Sequence, residues 1–200
     1  MKSNKIKPIF LVLIILLPAV IFLFLKSFGS NQFDIPVYYQ SGVVDTLDNN
    51  CGRSTAVPYL VNTKPASQVV HKIYHFEKSK SPELEFRLQE LERIQNAIGS
   101  NNGVLLFSFL NNPAISKSAF DNLDDRINYD PSFWSIRPVN PATYDVFKNC
   151  ELVMSDIDDR VVLVDNREQI RGYYDISDRE ETDRLIVELK ILIAQENEFR

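Results

Sequence analysis

The sequence predicts an α/β domain, a central mixed sheet flanked by helices, carried behind one N-terminal transmembrane helix. Three observations predict it. Segments with the period of a strand and of a helix alternate from Val69 onward; two short extended runs and a capped helical segment close the chain; and residues 8–25 form an uncharged apolar run.

The closing hairpin is the stretch around which the domain is organised. Val161 to Asp165 (VVLVD) and Ile170 to Asp175 (IRGYYD) flank the polar turn Asn166-Arg167-Glu168-Gln169, the pattern of two antiparallel strands joined by a short loop. Ser177-Asp178-Arg179-Glu180 follows as an S-x-x-E capping box, launching a helix that turns Leu185, Leu189, Leu192 and Ile193 inward.

Upstream, Ile35 to Tyr39 reads as a short edge strand, because Pro36 lacks the N–H that a central position needs. Gln40 to Lys64 is loop-like and too long for a plain connection. Val69 to Phe76 reads as a strand with Val69, His71, Ile73 and His75 on one face and Val70, Lys72, Tyr74 and Phe76 on the other. Ser81-Pro82-Glu83 then offers an N-cap, an N1 proline and an acidic first turn, and Leu84, Leu88, Leu91, Ile94 and Ile98 recur at helical spacing until Gly99.

Val104 to Leu110 (VLLFSFL) is almost wholly apolar, as expected of a parallel strand covered on both faces. Asn111-Asn112-Pro113 opens a second helix with Ile115, Ala119, Phe120, Leu123 and Ile127 as its buried stripe. Ser132 to Ile136 is the next expected strand and Pro141 to Phe147 a short helix. Parallel β-α-β units, then an antiparallel hairpin and a terminal helix, describe a thioredoxin-like fold.

The 18 residues from Pro8 to Leu25 reach about 27 Å as a helix, enough to span a hydrocarbon core, and Pro18 kinks such a helix without forbidding it. The run exceeds a usual signal-peptide core, and Lys26-Ser27-Phe28-Gly29-Ser30 offers no clean cleavage site, so an uncleaved anchor is expected. Lys2, Lys5 and Lys7 before the run against Lys26 after it orient the N-terminus to the cytoplasm. The expected organisation is a cytoplasmic N-terminus at 1–7, a signal anchor at 8–26, a tether with an irregular segment at 27–66, and the thioredoxin-like domain at 67–200, periplasmic or otherwise outside the inner membrane.

The first thirty residues take four of the 22 basic side chains and none of the 27 acidic ones, leaving the rest at 18 against 27, a net charge of -9. Nucleic acid is thereby disfavoured as a partner, since phosphate binding needs a basic face. Cys51 and Cys150 are the only cysteines. An oxidising compartment permits one disulfide between them, while two unpaired thiols are the simpler reading, because a bridge requires the fold to bring the two Cα atoms within ~7 Å. With no C-x-x-C or C-x-x-x-C anywhere, exchange by an adjacent pair is excluded.

The hairpin residues Val161 to Asp165 and Ile170 to Asp175 with their capped helix, together with Arg93-Ile94-Gln95-Asn96-Ala97 in the first helix, resemble the Sco/SenC family. The resemblance covers roughly residues 69–195. It implies a membrane-anchored thioredoxin-fold factor that helps deliver copper to cytochrome c oxidase, binding the metal through C-x-x-x-C after the first strand and a histidine ahead of the hairpin. Here the first location reads Phe76-Glu77-Lys78-Ser79-Lys80-Ser81-Pro82 and the second Met154-Ser155-Asp156-Ile157-Asp158-Asp159-Arg160. The family's acidic residue before proline after the second strand is Asn112, ahead of Pro113. Cu(I) prefers thiolate and imidazole donors, so none of these ligands carries over.

His71 and His75, four apart on a strand, stand about 13 Å from each other, too far to chelate one ion, and read as core or sheet-edge histidines. Asp156, Asp158 and Asp159 lack the glycine and the downstream glutamate of a calcium loop and read as a solvated turn. Cys51, Cys150 and Met154 would make a soft copper site only if the fold united them, and Arg53 would modestly lower the Cys51 pKa. The aromatic runs Val37-Tyr38-Tyr39 and Phe133-Trp134 read as core.

The expected function is that of a non-enzymatic accessory or assembly factor for respiratory oxidase, with no catalytic residue, no cofactor required, copper left open, and oxidase subunits or assembly factors as partners. Two alternatives stand beside it: a thiol-redox or metal-binding protein using Cys51 and Cys150, and an anchored scaffold unrelated to respiration.

Overall fold

A computed structural model describes residues 14, 16–24, 34–43, 51, 57–62, 71–77, 83–99, 103–111, 127–154 and 160–198. The chain forms two compact units, Met1–Asp34 and Ile35–Arg200. In the first, residues 14 and 16–24 are helical, with Leu16, Phe22 and Phe24 exposed. Among the described residues no helix is long and apolar enough to cross a membrane. The remaining positions of the 8–26 span lie outside them.

The second unit carries five strands, β1 (His71–Glu77), β2 (Val104–Leu110), β3 (Trp134–Pro138), β4 (Arg160–Val164) and β5 (Ile170–Asp175), in the order β3-β2-β1-β4-β5. The helices are α1 (Leu84–Ile98), α2 (Pro141–Val146), which runs on into a π-helical turn over Phe147–Glu151, and α3 (Arg179–Glu198). β1 pairs with β2, and β2 with β3, in parallel; β4 runs antiparallel to β1 and to β5.

Two cores sandwich the sheet. Leu88, Leu91 and Ile94 of α1 and Leu185 and Leu189 of α3 pack on the face that carries Ile73, Leu106, Trp134 and Leu163. On the opposite face Tyr74, Phe76, Val162 and Val164 pack with Tyr59, Val61, Tyr144, Leu152 and Met154. The two faces of β1 divide as its alternation requires, with His71, Ile73 and His75 together.

Several elements differ from the sequence reading. The compact unit begins at Ile35 rather than residue 67, because Ile35 joins the first core while Tyr59 and Val61 join the second. Ile35 to Tyr39 is not a strand. Its backbone makes single bonds, Tyr38 N–H to the Ile170 carbonyl at 2.9 Å and the Ile35 carbonyl from Arg171 Nη2 at 2.7 Å, before Tyr39 turns the chain at φ 56°. β2 is fully covered on one face only: Val104, Leu106, Ser108 and Leu110 are buried, whereas Leu105, Phe107 and Phe109 are half-buried.

β3 lies two residues later than expected. α3 is capped by Asp178, whose Oδ1 accepts from Glu180 N–H at 2.9 Å, and not by Ser177, because Asp178 is the residue directly preceding the first helical turn. Ser81-Pro82 and the second helix expected after Asn112 lie outside the described residues, apart from Ile127, which is buried in the first core.

Asp165 builds the hairpin turn. Its Oδ1 accepts from Arg167 N–H at 2.8 Å and Gln169 N–H at 2.9 Å, its Oδ2 accepts from Arg171 Nη1 at 3.1 Å, and Glu168 takes φ 61°. A short acidic side chain bonded to backbone two and four residues on is what replaces a glycine-based turn here.

Candidate functional site

At the end of β1 and the start of α1, where the resembled family would carry its cysteines, the side chains form a buried polar network. Glu77 closes β1, and Arg87, one turn into α1, meets it with two parallel contacts, Nε to Oε2 at 3.1 Å and Nη2 to Oε1 at 2.9 Å, both side chains being 1% exposed. Charge-assisted fork contacts of this kind offset the cost of taking both ions from water.

His75, two residues earlier on the same face, continues the network. Its Nδ1 lies 3.0 Å from Ser108 Oγ, its register partner on β2, and Trp134 Nε1 donates to the same oxygen at 2.8 Å. The indole is a donor only, so Ser108 Oγ accepts from it, while the direction of the Ser108–His75 bond follows the histidine tautomer. Nε2 stands 3.8 Å from Glu77 Oε2. Burial, and secondarily the Arg87 charge, push the His75 pKa down to about 3.

Serine, histidine and glutamate in that order have the members of a nucleophilic triad. Ser108 is fully buried and its oxygen is already engaged by Trp134, so no substrate carbonyl reaches it. The network ties α1 and β3 to the sheet. His71 is also buried, with Nε2 3.3 Å from Glu196 Oε1 on α3; burial lowers its pKa while Glu196 opposes the shift. The two histidines therefore belong to separate environments.

Cys51 and Cys150 are joined in a disulfide with a Cα–Cα distance of 5.2 Å. The reading of two unpaired thiols thereby gives way, because residues 57–62 lie against the π-turn that carries Cys150. Tyr59 Oη donates to the carbonyls of Cys150 at 3.2 Å and Glu151 at 2.9 Å, and Asn62 N–H to Glu151 Oε2 at 3.2 Å. A disulfide offers no thiolate to a metal, and Met154 is buried in the second core. Among the described residues no group of three or more His, Cys, Asp or Glu side chains is placed to hold a metal ion. Arg53, Asp156, Asp158 and Asp159 lie outside the described residues.

Sequence reasoning missed a cavity of about 620 Å³ on the face opposite α1. Its floor is aromatic: Tyr74 stacks on Phe107 (5.5 Å, 18°), Phe76 on Phe109 (5.4 Å, 23°), and Phe147 meets Tyr74 edge-on at 5.4 Å. Arg137 lies over the Phe107 ring, 4.7 Å from its centroid. The signal was legible in Phe107 and Phe109, which share one face of β2 with a cationic residue on the neighbouring strand. The apolarity of β2 suggests burial on both sides, whereas Leu105, Phe107 and Phe109 stay half-buried.

No family model matches the chain, and no curated protein matches it. Solved structures do. BsSco, described as a member of the Sco family of cytochrome c oxidase assembly proteins with a disulfide switch, is 12% identical with a TM-score of 0.51 over 62% of this chain and 81% of its own. A SCO1/SenC family lipoprotein from Bacillus anthracis is 13% identical with the same TM-score and coverages. A thiol:disulfide interchange protein from Bacteroides sp. follows at 13% identity and a TM-score of 0.45, covering 63% of this chain and 74% of its own.

The domain thus belongs to the thioredoxin-like α/β class, a mixed sheet flanked by helices. Sco/SenC proteins stand among its structural neighbours, and at these identities the likeness is one of fold.

Proposed function

We propose that this protein is a non-catalytic accessory or assembly factor for respiratory cytochrome c oxidase. In this reading the apolar run 8–25 anchors it in the inner membrane and the thioredoxin-like domain works on the periplasmic side. The observation that carries the reading is the buried Glu77–Arg87 pair, which joins the end of β1 to α1 on either side of the segment where the resembled family holds its metal-binding cysteines and this sequence has none. In this reading a domain that keeps the fold without those cysteines acts by binding a partner.

Co-purification from detergent-solubilised membranes tests it. Oxidase subunits or their assembly factors are expected with the full-length protein, and a preparation containing none of them counts against the proposal. Titration with Cu(I) adds a second check: tight binding that persists in a Cys51→Ser/Cys150→Ser variant would show a metal site that this reading denies.

A second reading, a thiol-redox protein, is favoured by the Cys51–Cys150 disulfide itself. It requires a reduction potential close to that of its compartment, whereas one far below leaves the bond structural. Equilibration with glutathione or dithiothreitol buffers distinguishes the two.

A further inference from the structure

We propose that the aromatic cavity is a binding site for a small apolar carboxylic acid, seated on the Tyr74, Phe107, Phe109 and Phe147 rings with its carboxylate held by Arg137. The inference does not depend on the oxidase reading.

Topology explains why this face is open. β1, β2 and β3 step across the sheet in one direction, and a right-handed crossover puts α1, the helix between β1 and β2, on the face of the first core. The described end of the second connection lies there: Ile127 enters the first core, Asn128 N–H donates to Glu92 Oε1 at 3.0 Å, and Asp130 N–H to Gln95 Oε1 at 2.9 Å. Among the described residues, the opposite face over β2 and β3 meets α2 and its π-turn through Thr143, Tyr144 and Phe147. Leu105, Phe107 and Phe109 are accordingly half-buried although they are as apolar as their buried neighbours.

Size and charge identify the occupant. The cavity, at about 620 Å³, falls within the range that encloses a small molecule. Among the described residues no acidic one lines it, in a chain with 27 acidic against 22 basic side chains, while Lys72 and Arg137 both do. Lys72 is paired with Glu168. Arg137 is exposed, Nε donates to Ser135 Oγ at 3.3 Å, and no carboxylate pairs with it among the described residues.

Stacking on Phe107 fixes the guanidinium plane and leaves its terminal nitrogens for an anion. A planar fork matches a carboxylate with two parallel contacts. One uncompensated cation beside apolar walls suits a monoanion with an apolar body; a dianion would leave a desolvated charge unpaired.

The test uses the full-length protein in lipid nanodiscs, with empty nanodiscs as the reference, and isothermal titration with 2-naphthoate and with octanoate. Each acid is matched by its uncharged alcohol, 2-naphthalenemethanol or octanol. Saturable one-to-one binding of at least one acid is expected, about tenfold tighter than that of its alcohol, as a charge-assisted contact supplies. Which acid binds separates an aryl from an acyl occupant.

Arg137→Gln should weaken the acid by about the same factor and leave the alcohol unchanged, with Arg137→Lys in between. Arg137 is exposed, and an unchanged thermal midpoint for Arg137→Gln verifies that the fold is intact. Absence of saturable binding by both acids, equal affinity for acid and alcohol, or acid binding indifferent to Arg137→Gln would each overturn the proposal.

Discussion

Arg87 on α1 grips Glu77 at the end of β1 with contacts of 3.1 and 2.9 Å, both side chains out of solvent. Breaking a buried pair from one side leaves an uncompensated charge. Glu77→Leu is therefore expected to cost about 3–5 kcal/mol, while Glu77→Leu with Arg87→Leu recovers most of it. Urea unfolding of the two single variants and the double one closes the cycle, and strictly additive losses would show that the pair is not coupled.

Stability should fall with pH below about 6.5. His75 has its folded pKa lowered to about 3 from 6.5, so between those values the unfolded chain binds a proton that the folded one does not. The contribution is complete above pH 6.5 and is lost at about 1.4 kcal/mol per pH unit as the pH drops towards 3. His71, also lowered, acts in the same direction. Urea midpoints between pH 7.5 and 5 should slope less in His75→Gln than in the parent; identical slopes would remove His75 from the account.

The Cys51–Cys150 bond closes a loop with a sequence separation of 99. Reduction, or Cys51→Ser/Cys150→Ser, should lower stability by about 2–5 kcal/mol, chiefly by releasing the unfolded chain. Thermal melts with and without dithiothreitol measure it. The double serine variant should no longer respond to reductant.

Gly172 lies beneath the Tyr174 ring on β5, where an added Cβ would come within 2.2 Å of the hydroxyl oxygen and 2.5 Å of Cζ. Tyr174 is buried, held by a 2.6 Å bond to Glu188 and covered by Arg184. Gly172→Ala should therefore destabilise by about 1–3 kcal/mol. Tyr174→Phe should not rescue it, since the ring carbon remains. A neutral Gly172→Ala by chemical denaturation would show that the ring is free to move.

Much of the domain was legible in sequence because its signals are local. The stripe Leu84, Leu88, Leu91, Ile94 and Ile98 is buried along α1, and VVLVD and IRGYYD pair as β4 and β5. Periodicity also separated the two faces of β1. It failed at Ile35 to Tyr39, where a strand pattern has no partner ladder, and at the α3 cap, where Ser177 and Asp178 compete and backbone position selects the aspartate.

By itself the sequence determined the thioredoxin-like order of elements, the acidity of the domain and the lack of cysteines or histidine at the resembled family's ligand positions. These follow from residue identity and spacing, which no folding step alters. Only the tertiary structure decided that Cys51 meets Cys150 across 99 residues, that Glu77 and Arg87 bury their charges together, and that Phe107 and Phe109 floor a cavity. Each depends on which distant segment covers which face of the sheet. A strand's alternation states that a face is apolar, while the crossovers and the N-terminal segment decide whether it is filled.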